Sequence, residues 1–258
     1  MRPRAGRQGP VLSVSLRGFK AWAPGLSDEA AWEAWAGDPR PVGCEGSPDA
    51  RFLPPMLRRR CTALSKAMLH VAFESCPAQE RSEVRTVFAS RHGENKESFP
   101  LFEAIAKGQP LSPAKFTHTV HNAQAALFSI ASGNRQASSS LSGERDTFAC
   151  AFLEALTHLE REPARAVLVV TGDVAIAPLF SPLLDEPEAA YAVGLVLSRD
   201  GEGTKLGFEL VPGTGEAGGK RAPLAWPQAL EFVRWLHAKS APRLELGAGP
   251  RTFRWHRL

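Results

Sequence analysis

The run Ala166-Val-Leu-Val-Val-Thr171 constrains this chain more than any other stretch. It has no polar face, so a strand made from it needs cover on both sides, as at the centre of a mostly parallel sheet. The required cover is present nearby. Phe148, Ala151, Phe152, Ala155, Leu156 and Leu159 recur at helical spacing, with Asp146 placed to cap the start.

The same alternation of periods runs through the chain. Val11 to Leu16 reads as a short strand, and Gly18 as the start of a loop. Ser27 is the expected N-cap of a helix that carries Trp32 and Trp35 and ends at Gly37. Residues 38–55 are rich in Pro and Gly and read as irregular. Leu57, Cys61, Leu64, Met68, Val71 and Ala72 then predict one helix, and Val84 to Ser90 a buried strand. A helix is expected over Ser98 to Lys107, and a second after Asn122, closed by Gly133. Ser138 to Leu141 reads as a strand. Ala192 to Ser198 and Lys205 to Val211, joined through Gly201 and Gly203, read as a candidate hairpin. Trp226 to His237 predicts a helix, and Arg243 to Arg257 possible edge strands. Helices interleaved with strands make a layered α/β fold. The expected division is a polar leader over residues 1–10 and one domain over 11–258.

Composition excludes several classes. With 43% hydrophobic and 22% charged residues, the chain is not mainly disordered. The formal charge of +4 is small for 258 residues, and the DNA- and RNA-binding motifs are absent, so nucleic acid is not the expected partner. Cys44, Cys61, Cys76 and Cys150 have neither CxxC nor zinc-finger spacing, which fits a reducing cytoplasm. No apolar run approaches the roughly 20 residues of a membrane span.

Familiar catalytic motifs fail in turn. GTGEAGGK (213–220) has Thr214 and Arg221 where a phosphate loop needs Gly and Ser or Thr. A GxSxG elbow is absent. His118 and His121 form H-x-x-H, but no third ligand stands near them in a recognised pattern, so no metal and no cofactor is expected. Arg58, Arg59 and Arg60 read as a partly solvated helix end with one Arg paired to a carboxylate, or as a contact for an anionic partner.

The most specific stretch runs from Pro110 to Leu159. Leu111-Ser112-Pro113 and Phe116 lead to Val120-His121-Asn122-Ala123, an Ala-rich helix, Gly133, a Ser-rich strand, a tight turn and a long helix. This resembles the N-terminal half of β-ketoacyl synthases, of the thiolase-like fold; AVLVVTGDV and YAVGLVLSRDG resemble that family's next strands. Residues 21–37, 54–67 and 112–130 are similar to short, stand-alone ketosynthase-like N-terminal-domain proteins of chain-length-factor type, found beside aryl polyene and related fatty-acid or polyketide genes. The matches span about residues 11–211.

The resemblance implies a thiolase-like half, a layered α/β/α domain with the C-terminal half missing. It also implies a nucleophilic Cys at the strand-to-helix turn, activated by the helix N-terminus. Counting from Gly133 places that position at Ser142; counting back from Glu154-Ala155 places it at Arg145. Neither is Cys. Cys150 lies one turn inside the helix between Ala149 and Ala151, the setting of a packed small residue. Ser142 as nucleophile would need a base, and His121 is the candidate. Otherwise His121 and Asn122 orient the turn, which also carries Arg145. The histidines that family members carry in the C-terminal half do not fit in the remaining chain.

The expected function is therefore accessory and non-condensing. The chain would pair with a full-length ketosynthase, as a homo- or heterodimer, or bind acyl carrier protein or an acyl chain, in a type II fatty-acid or polyketide pathway of aryl polyene type. The alternatives are an acyltransferase or hydrolase using Ser142 or Cys150, and a generic α/β binding domain.

Overall fold

The computed structural model describes residues 11–162, 166–213, 225–238, 240–247 and 249–258. The leader and most of the GTGEAGGK segment lie outside the described residues. In chain order the elements are β1 (Leu12–Trp22), α1 (Glu29–Gly37), α2 (Pro55–Arg58), α3 (Ala63–Ser75), β2 (Arg85–Ala89), α4 (Asn95–Ala106) and α5 (Pro113–Phe116). They continue with α6 (Ala123–Ser132), β3 (Ser138–Leu141), α7 (Thr147–Arg161), β4 (Val167–Asp173), β5 (Tyr191–Ser198), β6 (Thr204–Pro212), α8 (Gln228–Ala238), β7 (Arg243–Leu246) and β8 (Arg251–Arg257).

The strands form one eight-stranded sheet in the order β3-β2-β4-β5-β1-β6-β8-β7. β2, β3 and β4 run parallel; β5 is antiparallel to β4. Every residue of β4 is buried, and its side chains alternate between two cores. Val167 and Val169 join α7, α8 and α1 on one face, while Leu168 and Val170 join α3 and α6 on the other. The two-sided cover demanded by AVLVVT is thus supplied by two helix layers.

β5 and β6 do not form a hairpin. β1 lies between them, antiparallel to both, with Ser15 opposite Ser198 and Lys205. β1 also runs through Gly18 rather than ending there, with an irregularity in register between Leu16 and Gly18. The glycine serves a close approach, because a Cβ at Gly18 would lie 2.1 Å from the Ser75 carbonyl at the end of α3. Gly194 of β5 plays the same part, since a Cβ there would lie 2.7 Å from the Val71 carbonyl. The two glycines let α3 rest on the sheet backbone.

The single helix expected over 57–72 is two. Pro55 starts the short α2, and extended Thr62 interrupts the chain and caps α3 by accepting from Ser65 N. The apolar stripe survives this break, which is why periodicity alone does not reveal it. α1 is capped by Asp28 rather than Ser27. α4 begins at Asn95, earlier than Ser98. At α7, Asp146 makes no side-chain cap; its carboxylate instead accepts from Gln228 Nε2 at 2.7 Å. β7 is the sheet edge beside β8, as the tail's alternation implied.

Candidate functional site

Because β2, β3 and β4 are parallel, their C-terminal ends meet at one edge of the sheet, where open α/β folds place ligand sites. β3 leads there into Ser142-Gly143-Glu144-Arg145 and then α7. Glu144 has φ 53°, the only described non-glycine residue with a positive φ. This left-handed conformation is strained for a residue with a Cβ. Thr147 holds it in place, its hydroxyl donating to Glu144 O at 2.6 Å and accepting from Gly143 N at 2.9 Å.

The two counted positions, Ser142 and Arg145, flank Glu144. Ser142 Oγ is exposed and donates to Arg91 O at 3.2 Å. Among the described residues it has no hydrogen bond to His121, whose Nδ1 faces Gly93, 3.5 Å from where a Cβ would stand. The Ser142–His121 pair is not assembled. Asn122 precedes α6 without a side-chain capping bond, both it and His121 are exposed, and among the described residues the hydrogen bonds that hold the turn come from Arg91 and Thr147 instead.

Cys150 is half-buried and packs under the turn; a Cβ on Gly143 would come within 2.9 Å of its sulfur. Burial raises its thiol pKa, Asp146 raises it further, and Arg251 pulls the other way. The neutral thiol is thereby favoured, the opposite of an activated nucleophile. The start of α7 is also occupied, since Ala149 N donates to Gln228 Oε1 at 3.4 Å. That amide belongs to the helix end that would otherwise stabilise a thiolate.

Arg145 is buried and its Nε lies 3.7 Å from Asp185. Arg91 reaches Asp185 at 2.7 Å and Glu186 at 2.8 Å. Asp173, at the end of β4, accepts from Ser90 Oγ (2.7 Å), His92 N (2.9 Å), Arg91 N (3.2 Å) and Tyr191 OH (3.1 Å). These bonds fix the strand ends relative to one another. Sequence reasoning missed the network because its members are scattered over five separate segments. It also missed Glu144, which nothing in the local sequence marks as left-handed.

A second buried acid lies beneath the same edge. Glu94 accepts from Thr62 Oγ1 (2.6 Å), Gln124 Nε2 (2.5 Å) and Ser65 Oγ (3.4 Å). Burial pushes its carboxyl up to about 7, against the opposing pull of those donors.

Two surface features adjoin α4. Arg59 and Arg60 join Lys115 and His118 around a cavity of about 310 Å³. None of Arg58, Arg59 and Arg60 makes an ion pair among the described residues, so the expected carboxylate pairing is absent. On the other side, Leu101, Phe102, Ile105, Leu111 and Phe116 line an apolar groove of about 640 Å³. All but Leu101 are exposed. His118 faces the basic cavity and His121 faces Gly93, so the H-x-x-H pair is not gathered into one ligand set.

The family model described as β-ketoacyl synthase, N-terminal domain, matches residues 32–256. The chain belongs to this family. No curated protein sequence matches it significantly. The ketosynthase-like chain is similar to a chain in the structure of a ketosynthase (ApeO) in complex with its chain length factor (ApeC) from Xenorhabdus doucetiae. The two share 25% identity at a TM-score of 0.76, over 95% of this chain and 100% of that one. It shares its fold with the ishigamide ketosynthase/chain length factor, at 11% identity and a TM-score of 0.71, over 95% and 99% of the two chains. A third likeness is to a type II polyketide synthase acyl-carrier protein in complex with its ketosynthase (AntDE:AntF), at 16% identity and a TM-score of 0.54. That match spans 73% of this chain and 63% of the longer one. The thiolase-like layered α/β fold is thus shown. At the turn where the resemblance implies a nucleophilic Cys, the ketosynthase-like chain carries a strained Glu144 between Ser142 and Arg145.

Proposed function

We propose that this protein is a non-condensing accessory partner of a ketosynthase, of chain-length-factor type, in a type II polyketide or fatty-acid pathway of aryl polyene kind. One observation carries the reading. The strand–turn–helix elbow is intact and hydrogen-bonded at Glu144 and Thr147, yet it presents no thiol. The nearest sulfur, Cys150, is packed and its pKa is raised.

The exposed apolar groove of α4 and α5 is the surface offered to the partner subunit or an acyl chain. Arg59, Arg60 and Lys115, without an ion pair among the described residues, supply positive charge for an acidic acyl carrier protein or the phosphate of its prosthetic arm. The test is coexpression with a full-length ketosynthase of an aryl polyene-type pathway, followed by sizing and intact-mass spectrometry after incubation with acyl-carrier thioesters. Co-purification as a heterodimer with no acyl adduct on this chain is expected. An adduct on Ser142 or Cys150 would replace this reading with the acyltransferase or hydrolase alternative, and a persistent monomer would remove the partner.

A further inference from the structure

We infer that Glu29, Glu33 and His237 form a site for a divalent transition-metal ion of the zinc type, straddling the seam between α1 and α8. Glu29 and Glu33 are one helical turn apart and share a face of α1. His237 lies in the last turn of α8, and its ring packs edge-on against Phe19 with centroids 5.8 Å apart. Its side chain is only 5% exposed.

The imidazole Nδ1 is 3.4 Å from Glu29 Oε1. All three ligand atoms fall within 4.8 Å of one another. A tetrahedral ion with ligands at about 2.0–2.1 Å separates its donor atoms by about 3.3 Å. The Glu29–His237 pair is therefore already one edge of such a site. Glu33, exposed and free to change rotamer, closes a second edge, and water completes the set. The i,i+4 spacing on α1 sets Glu33 beside the Glu29–His237 pair and so supplies a third donor within reach of it. Among the described residues no other group of three His, Cys, Asp or Glu side chains brings its ligand atoms this close. Carboxylate and neutral imidazole together suit zinc, nickel and copper better than calcium or magnesium.

Such an ion would pin α8 to α1. At the other end of α8, about 14 Å away along the helix, Gln228 holds the start of α7. The site is independent of the accessory role proposed above.

The experiment is titration of the untagged, EDTA-treated chain with zinc chloride by calorimetry, alongside thermal melts. One bound equivalent and a raised melting temperature are expected, with affinity falling at least tenfold in Glu33→Gln and in His237→Gln. Absence of binding, or zinc binding unchanged in Glu33→Gln, overturns the assignment. Because Glu33 is exposed, that variant decides the matter even where His237→Gln fails to fold.

Discussion

Replacing Glu94 by Gln should convert a pH-sensitive fold into a flatter one. The Glu94 carboxyl titrates near 4.5 in the unfolded chain and at about 7 when buried against Thr62, Ser65 and Gln124. Below pH 4.5 both states hold the proton and the difference vanishes. Between the two values the folded state binds more protons than the unfolded state, so stability falls as pH rises. Above about 7 the full cost of burying the charge applies, about 3 kcal/mol for this shift.

Gln has nearly the same shape. Its carbonyl accepts from Thr62, and Gln124 can turn its amide to accept from the new NH₂ group. Urea unfolding followed by tryptophan fluorescence, under reducing conditions at steps from pH 5 to pH 9, gives both curves. Subtracting them cancels Glu186, Glu231, His70 and His92, which titrate in both proteins. The variant should match the parent within about 1 kcal/mol at pH 5 and exceed it by about 2–3 kcal/mol at pH 9. A difference that does not change with pH, or that favours the parent as pH rises, refutes the assignment of a buried, late-titrating carboxyl.

Other outcomes follow from the same structure. Gly18→Ala should cost at least about 2 kcal/mol in urea unfolding, because the obstructing atom is the Ser75 backbone carbonyl and cannot rotate away. Thr147→Val should cost about 2 kcal/mol by removing both hydrogen bonds at the turn, with a local rise in amide exchange at Gly143. Mass-spectrometric alkylation at pH 7 should be slow at all four cysteines and slowest at Cys76, whose thiol burial pushes up to about 11. Charge reversal of Arg59 and Arg60 to Glu should weaken carrier-protein association at least tenfold and leave the unfolding midpoint unchanged, since neither side chain makes an ion pair among the described residues.

Legibility followed the range of the interactions. β4, α7 and α6 were readable because their burial patterns repeat locally, and Gly133 closes α6 with a left-handed φ of 67° as its position implied. The two counted positions, Ser142 and Arg145, fall in the turn between β3 and α7. Its strained residue was not identified, because nothing local marks Glu144 as left-handed when a glycine sits next to it. The pairing of β1 between β5 and β6 was invisible. Strands β5 and β6 with glycines between them satisfy every hairpin signal, and only the competition of a distant, buried strand decides otherwise. Gly18 misled for a similar reason, since its purpose is the Ser75 carbonyl rather than a turn. The Asp173 and Glu94 networks draw on residues from separate elements, and no spacing along the chain announces them.

The central place of β1 also governs when the protein can fold. Ser15 has no sheet partner until Lys205 and Ser198 exist. At about 5–20 residues per second, the ribosome delivers those partners on the order of ten to forty seconds after β1 itself. During that interval β2, β3 and β4 can assemble with α3, α6 and α7, while an apolar strand from the N-terminal part of the chain waits unpaired. β1 can dock only once β5 has been made, with β6 then closing its other side, and slow translation or loss of the chain from Tyr191 onward leaves this strand as the sticky element of the nascent chain.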